Sequence, residues 1–325
     1  MTPAIRRLLP VCALLALLFS AITGWAQPNN IHFLIPGGKG GGWDTTARET
    51  GKALMETGLI RQASYQNFSG AGGGRALRDM VVNATGYGNT LMVQSSPIIL
   101  RNISGSVAYG FRDVTPVAIM IAEYQVVAVP KQSPFENLQQ LIEAVRLDIT
   151  RNRIIGGSAK GSLDHITAAL ILNAAGVDVT AMRYLESDAG GDALRRLYQG
   201  DGVALVTGYG EVISELEAGN LRLLAITSET PQPGINTKTA REQGYDVVFA
   251  NWRGFFAPPT VTPHTRDSYQ QLLKRLHDSE HWQAIRQRFG WAPFFKSGND
   301  LTAFLLAQEA EIWLTLQQLG FKTRQ

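Results

Sequence analysis

Pro36-Gly37-Gly38-Lys39-Gly40-Gly41-Gly42-Trp43-Asp44 joins the apolar run Ile31–Ile35 to a helix-like run that begins near Thr45. Strand, glycine-rich turn, helix is the opening of a βαβ unit, and a run of glycines leaves backbone N–H groups uncovered at the start of the helix, where an anion can be held. Three more strand-like runs break in the same way: at Gly156-Gly157-Ser158-Ala159-Lys160-Gly161-Ser162, at Ser187-Asp188-Ala189-Gly190-Gly191 and at Thr207-Gly208-Tyr209-Gly210. In open α/β sheets such turns lie where ligands bind, so the set points to a cleft around a small acidic molecule.

Outward from these turns the pattern repeats in two blocks. Ile31–Ile35, Ser64–Phe68 and Thr90–Gln94 read as strands, and Leu77, Met80, Val81 and Ala84 mark the buried stripe of an intervening helix. After Val126–Pro130 a second alternation has strand candidates Arg153–Gly156, Ala181–Leu185, Val203–Thr207 and Leu221–Thr227, with helices closed by Gly176 and Gly219. The expectation is an α/β chain of two lobes with largely parallel sheets and a cleft between them. After Asp246–Phe256 the chain reads as helical to its end, and crossings between lobes are placed near Glu123–Pro130 and Val247–Pro258. That gives lobe 1 residues 27–125 with 250–325, and lobe 2 residues 126–249.

Residues 1–26 read as a cleaved secretory signal: Arg6-Arg7, the apolar core Leu8–Ile22, then Gly24-Trp25-Ala26 before the cut. Cys12, the one cysteine of the 325 residues, lies inside that core and not just after it, so a lipid anchor is not expected, and disulfides and thiol chemistry are excluded once the signal is removed. Loss of Arg6 and Arg7 lowers the formal charge from +3 to +1, which is no footprint for nucleic acid. No later run is apolar for the ~20 residues that a membrane crossing requires.

At the level of motifs, Pro36–Asp44 followed by Thr45-Thr46-Ala47-Arg48, Ser69–Gly73, Pro130–Leu138, Met182-Arg183-Tyr184, Gly190-Gly191, Gly219–Ala225, Ala240–Tyr245 and Trp252-Arg253-Gly254 resemble, in this order, the Bug-type periplasmic substrate-binding proteins of tripartite tricarboxylate transporters. Gly-Gly-Gly-Trp-Asp is similar to their tricarboxylate-binding branch. The resemblance implies a clamshell like that of type II periplasmic binding proteins, closing on a citrate-like di- or tricarboxylate and presenting it to a membrane permease from the periplasm. It implies a monomer, no cofactor and no catalysis. Lys39 and Lys160 stand where many members are neutral, and Ser228-Glu229-Thr230-Pro231 follows Leu221–Thr227 where many carry an arginine.

In the residue-level reading, the amides of Gly40, Gly41, Gly42 and Trp43 and the charge of Lys39 form one ligand wall, with Asp44 as helix N-cap or Thr46 and Glu49 as a competing capping box. Gln94, Ser95 and Ser96 add polar groups ahead of Pro97. Opposite them, Ser158 and Ser162 offer hydroxyls, Gly161 an amide and Lys160 a charge. Asp188, Gly190, Gly191, Thr207, Gly208 and Tyr209 complete the ring; Asp188 orders its turn or accepts a ligand hydroxyl, and Tyr209 either contacts the ligand or packs. Arg253 either pairs with a carboxylate or bridges the lobes. The turn at 37–44 lacks the Gly-Lys-Ser/Thr of a P-loop and the glycine spacing of a dinucleotide site. His277-Asp278-Ser279-Glu280-His281 matches an inverted zinc-protease motif, but Asp278-Ser279 reads as a break that puts the histidines on different helices. The competing functions are a ligand sensor docking on a membrane receptor and a secreted hydrolase, the latter lacking any nucleophile and base pair.

Overall fold

The structure, a computed structural model, describes residues 29–187 and 190–324; the expected signal and Asp188 lie outside them. The first half runs β1 (Asn30–Ile35), α1 (Gly42–Glu56), β2 (Gln62–Asn67), α2 (Gly74–Val82), β3 (Thr90–Ser95), α3 (Pro97–Ile103) and the long β4 (Thr115–Pro130). The second half follows with α4 (Leu138–Leu147), β5 (Ile154–Gly156), α5 (Leu163–Ala174), β6 (Tyr184–Leu185), α6 (Gly190–Tyr198), β7 (Ala204–Gly208), α7 (Ile213–Glu217) and β8 (Leu221–Ile226). The chain returns through β9 (Ala250–Ala257), α8 (Pro263–His277), α9 (Glu280–Phe289), β10 (Ala292–Ser297) and α10 (Gly298–Gln318).

The period-2 pattern of β1 shows why this region is two-faced. Ile31, Phe33 and Ile35 join the apolar cluster under α1, α8 and α9, whereas Leu34 joins the one under α2, α3 and α10. Both faces are covered, as a parallel strand requires. β1 pairs in parallel with β2 and β3, and β5 in parallel with β6 and β7. Gly176 and Gly219, at φ +70° and +73°, stop α5 and α7 as read from the sequence.

Beyond these units the expectation of largely parallel sheets gives way. β9 lies antiparallel between β3 and β4, and β7, β8 and β10 are all antiparallel to β4, so the sheet is mixed. The reason is β4 itself, of which the sequence reading caught only Val126–Pro130. Its residues Thr115–Tyr124 pair with β9, and residues Gln125–Pro130 pair with β7 and β8. One strand therefore runs through both sets of strands, changing partners at Tyr124–Gln125. Thr227 ties the other passage to this point: its N–H donates to the Gln125 carbonyl at 2.9 Å and its carbonyl accepts the Phe249 N–H at 3.1 Å.

The tail is not wholly helical either, since β10 adds to β4; Pro293 is tolerated there on an edge strand. α10 then packs on both α3 and α5, and Asn173 Nδ2 donates to Gln318 Oε1 at 2.6 Å. The break at Asp278-Ser279 is present as read: His277 ends α8, and Ser279 caps α9 by accepting the Trp282 N–H at 3.1 Å.

Candidate functional site

A cavity of about 590 Å³ lies at the level where β4 changes partners, lined from the first half by α1, α3 and β9 and from the second by the turns after β5 and β7. Its first wall begins with the glycine turn. Gly41 is the N-cap and Gly42 the first residue of α1, so the helix starts three residues earlier than the sequence suggested. Asp44 is accordingly not the N-cap but sits inside the first turn, and Thr46 forms no capping box; it bonds the Gly42 carbonyl within the helix. Asp44 accepts from the Gly40 N–H, Arg48 Nε and Asn67 Nδ2, each at 2.9 Å. Burial opposes its ionisation, but these bonds hold its carboxyl below the usual range. The turn is thereby fixed in place, and the Gly40 amide is spent on Asp44 instead of remaining free for a ligand.

Gly42 has a further role that a turn does not explain. A Cβ at this position would strike the guanidinium of Arg253, which reaches across from β9 to the helix N-terminus. Arg253 is only 8% exposed and pairs through Nη2 with Glu123 Oε2 of β4 at 2.5 Å. A positive helix end and a buried guanidinium thus converge at one place on the wall, with one carboxylate covering them. Arg101 of α3 also lines the cavity, and its buried Nε has no hydrogen-bond partner among the described residues.

The second wall has the opposite sign. Asp164, in the first turn of α5, accepts from Ser158 Oγ at 2.6 Å, and burial pushes its carboxyl up to about 7, with Glu211 adding repulsion. Glu211, accepting from Thr207 Oγ1 at 2.9 Å, is likewise raised by burial and by the nearby Glu123. Ser162 is the N-cap of α5, but its hydroxyl bonds Ser158 Oγ at 2.5 Å and not the helix. His165 faces away from catalysis: its Nδ1 accepts the Gly161 N–H at 2.9 Å, its ring lies 4.4 Å from that of Tyr184, and burial lowers its pKa to about 4, so it is neutral. Gln125 and Asn251, where the passages between halves meet the cavity, each carry a buried side-chain oxygen with no hydrogen-bond partner among the described residues.

With this geometry in view, the sequence model of the tripartite tricarboxylate transporter family receptor, TctC, matches residues 51–320. The chain belongs to the TctC family. It is 29% identical over 319 residues to BugT of Bordetella pertussis, covering 94% of this chain and 93% of that protein. In fold it is similar to a TctC solute-binding protein from Polaromonas, with a TM-score of 0.77 at 19% identity over 89% of this chain and 98% of the other. An R. palustris protein solved with adipate gives a TM-score of 0.72 at 23% identity, covering 91% and 99%. The two-lobed periplasmic-binding-protein fold read from the sequence is therefore this family's fold, and its members are receptors, not enzymes. Among the described residues no helix is long and apolar enough to cross a membrane, and no cluster of His, Cys, Asp and Glu could hold a metal.

Within the TctC cleft the expected contacts divide. Gly40, Gly42, Ser158, Ser162, Gly208 and Arg253 line the cavity. Gly41, Gly161 and Thr207 are neighbours of lining residues, and the Gly161 amide is committed to His165; Gly190 and Gly191, at the start of α6, are not on the lining. Lys39 and Lys160 are exposed and off the wall, where Arg101 and Arg253 stand as its cations. Trp43 packs inward, donating through Nε1 to Ser95 Oγ at 3.0 Å, and Ser96 Oγ bonds the Ala250 carbonyl at 3.4 Å. Gln94 is buried beneath α2 and α3, and Tyr209 lines a separate groove of about 370 Å³ with Tyr124 and Trp291. The residues that the sequence reading passed over, Arg101, Glu123, Gln125, Asp164, Glu211 and Asn251, are all polar, and of these only Glu211 belongs to a glycine turn, as the last residue of the turn after β7.

Proposed function

We propose that this TctC-family receptor captures a small organic acid in the 590 Å³ cavity and hands it to the integral-membrane permease subunits of a tripartite transporter. One observation carries the reading: Gly42 leaves space for the Arg253 guanidinium at the N-terminus of α1, so that two positive features meet on a wall shared with Arg101. Each hydrogen bond from such groups to a carboxylate contributes about 1.5–3 kcal/mol before the costs of closure, which suits capture followed by release. In this reading residues 27–125 with 250–325 and residues 126–249 act as lobes that close on the ligand. The mature receptor begins after Ala26, works in the periplasm as a monomer and needs no cofactor.

Di- and tricarboxylates of the citrate type enter the screen first, on the family's description and on the adipate held by the R. palustris relative in fold. The test is a thermal-shift panel of organic acids, sugars and neutral polyols. A true ligand at 100 times its dissociation constant stabilises by about 2.7 kcal/mol, enough to raise Tm by a few degrees. Organic acids should produce that rise. A panel in which only sugars or polyols do so would discard the carboxylate reading.

A further inference from the structure

We propose that the acid taken by this cleft also carries a cationic nitrogen, its carboxylate facing Arg101 and Arg253 and its ammonium group facing Asp164 and Glu211. The inference rests on the carboxylate reading above and narrows its substrate class. Three carboxylates, Glu123, Asp164 and Glu211, line the cavity against two guanidinium groups. The Glu123–Arg253 pair, at 2.5 Å, cancels one of each, which leaves Arg101 on the first wall and two acids on the second. The cleft is therefore bipolar. A second carboxylate on the ligand would be set against Asp164 and Glu211, where like charges in a partly enclosed space repel strongly.

An independent observation points to the same chemistry. Gln125 is 3% exposed, lines the cavity, and has a side-chain oxygen with no hydrogen-bond partner among the described residues. Asn251, which lines the same cavity, likewise has a buried Oδ1 with no partner among the described residues. Buried acceptors of this kind call for a donor, which a ligand in the cavity can supply. An ammonium group supplies three N–H donors and no acceptor, matching Gln125 Oε1 together with the acids of the second wall. A citrate-like anion supplies almost the reverse.

The experiment is titration calorimetry on the mature chain near pH 8, with three matched series of four to six carbons: amino acids with the nitrogen at the α or ω carbon, dicarboxylates, and simple monocarboxylates. The proposal expects an amino acid to bind about tenfold or more tightly than the dicarboxylate and monocarboxylate of equal length. It also expects Asp164→Asn combined with Glu211→Gln, folded by thermal unfolding, to abolish that preference. If dicarboxylates bind more tightly and take up a proton, seen as a dependence of the heat on the buffer's ionisation enthalpy, the proposal is overturned while the carboxylate reading stands. An amino-acid preference that persists in the double variant also overturns it. No binding in any series removes both.

Discussion

The two turns that face each other across the cleft look alike in sequence and differ in chemistry. Residues 37–44 and 156–162 are both glycine-rich links from a strand to a helix, and both helices present their N-termini to the cavity. On the first wall the acid of the initial turn, Asp44, is consumed by Gly40, Arg48 and Asn67, and a guanidinium occupies the helix end. On the second wall the corresponding acid, Asp164, meets only hydrogen-bond donors without charge, and its carboxyl is pushed up by burial. The lesson is that a glycine turn before a helix marks a place for a ligand, while the sign of that place is set by side chains brought in from elsewhere in the chain.

The sharpest way to break this contrast is at Arg253. Arg253→Met should weaken binding of the ligand by about 30-fold or more, since removing one partner of a buried, hydrogen-bonded charge pair costs about 2–5 kcal/mol. Glu123→Gln should act in the opposite direction, tightening carboxylate binding several-fold by releasing the guanidinium from its 2.5 Å pair. Calorimetry on both variants decides the matter; equal losses would show that the pair is a structural tie between β4 and β9 and not a binding device.

On the second wall, the pH dependence of stability isolates Asp164. Its carboxyl titrates at about 7 in the folded chain, against about 4 when unfolded, so between those values the folded state holds a proton that the unfolded state has lost. This stability is complete below about pH 4 and drains away as pH rises through about 7, by roughly 4 kcal/mol at the upper limit. Asp164→Asn should therefore flatten the fall in Tm between pH 5 and pH 8, leaving a residual slope from Glu211 and from Glu311, whose carboxyls burial also raises. An unchanged slope would mean that Asp164 is already ionised at pH 5.

The smallest effect concerns the glycines themselves. A Cβ on Gly42 collides with Arg253, whereas one on Gly41 meets nothing closer than the Gly38 carbonyl at 3.4 Å. Gly42→Ala should weaken binding by about tenfold, the equivalent of 1.4 kcal/mol, and Gly41→Ala should leave it within twofold. Equal behaviour of the two would return the turn to a purely backbone role.

Much of the fold was legible because it is written in local signals. The alternation of β1 through α3, the glycines that end α5 and α7, and the break between α8 and α9 all depend on neighbouring residues. What escaped depends on distant ones. β4 was half-read because residues 115–124 take their pairing from β9, and β10 was missed because Pro293 argues locally against a strand. In the site, Arg253 was found because it sits in a short motif between Trp252 and Gly254. Arg101 and Asp164 lie in ordinary helical turns, and Glu123 and Gln125 in a strand, where only the tertiary arrangement shows which face meets the cleft. Lys39 and Lys160 are exposed and off the cavity lining, on which Arg101 and Arg253 stand.

The route of β9 has a consequence for how this molecule comes into being. β3 ends at Ser95 and waits for its neighbour, which begins at Ala250, and β4 waits for the same strand along its first half. Until that late segment arrives, the first sheet has a gap at its centre with two unsatisfied edges. The strands of the second half pair among residues from Gln125 to Ile226, which form an almost unbroken stretch. Pairings so distant in sequence form slowly, because the entropy of closing a long loop is lost before any contact compensates it. Topology therefore predicts an order of assembly in which the strands behind the acidic wall pair early, whereas the basic wall, together with the cleft, is complete only once β9 has been inserted.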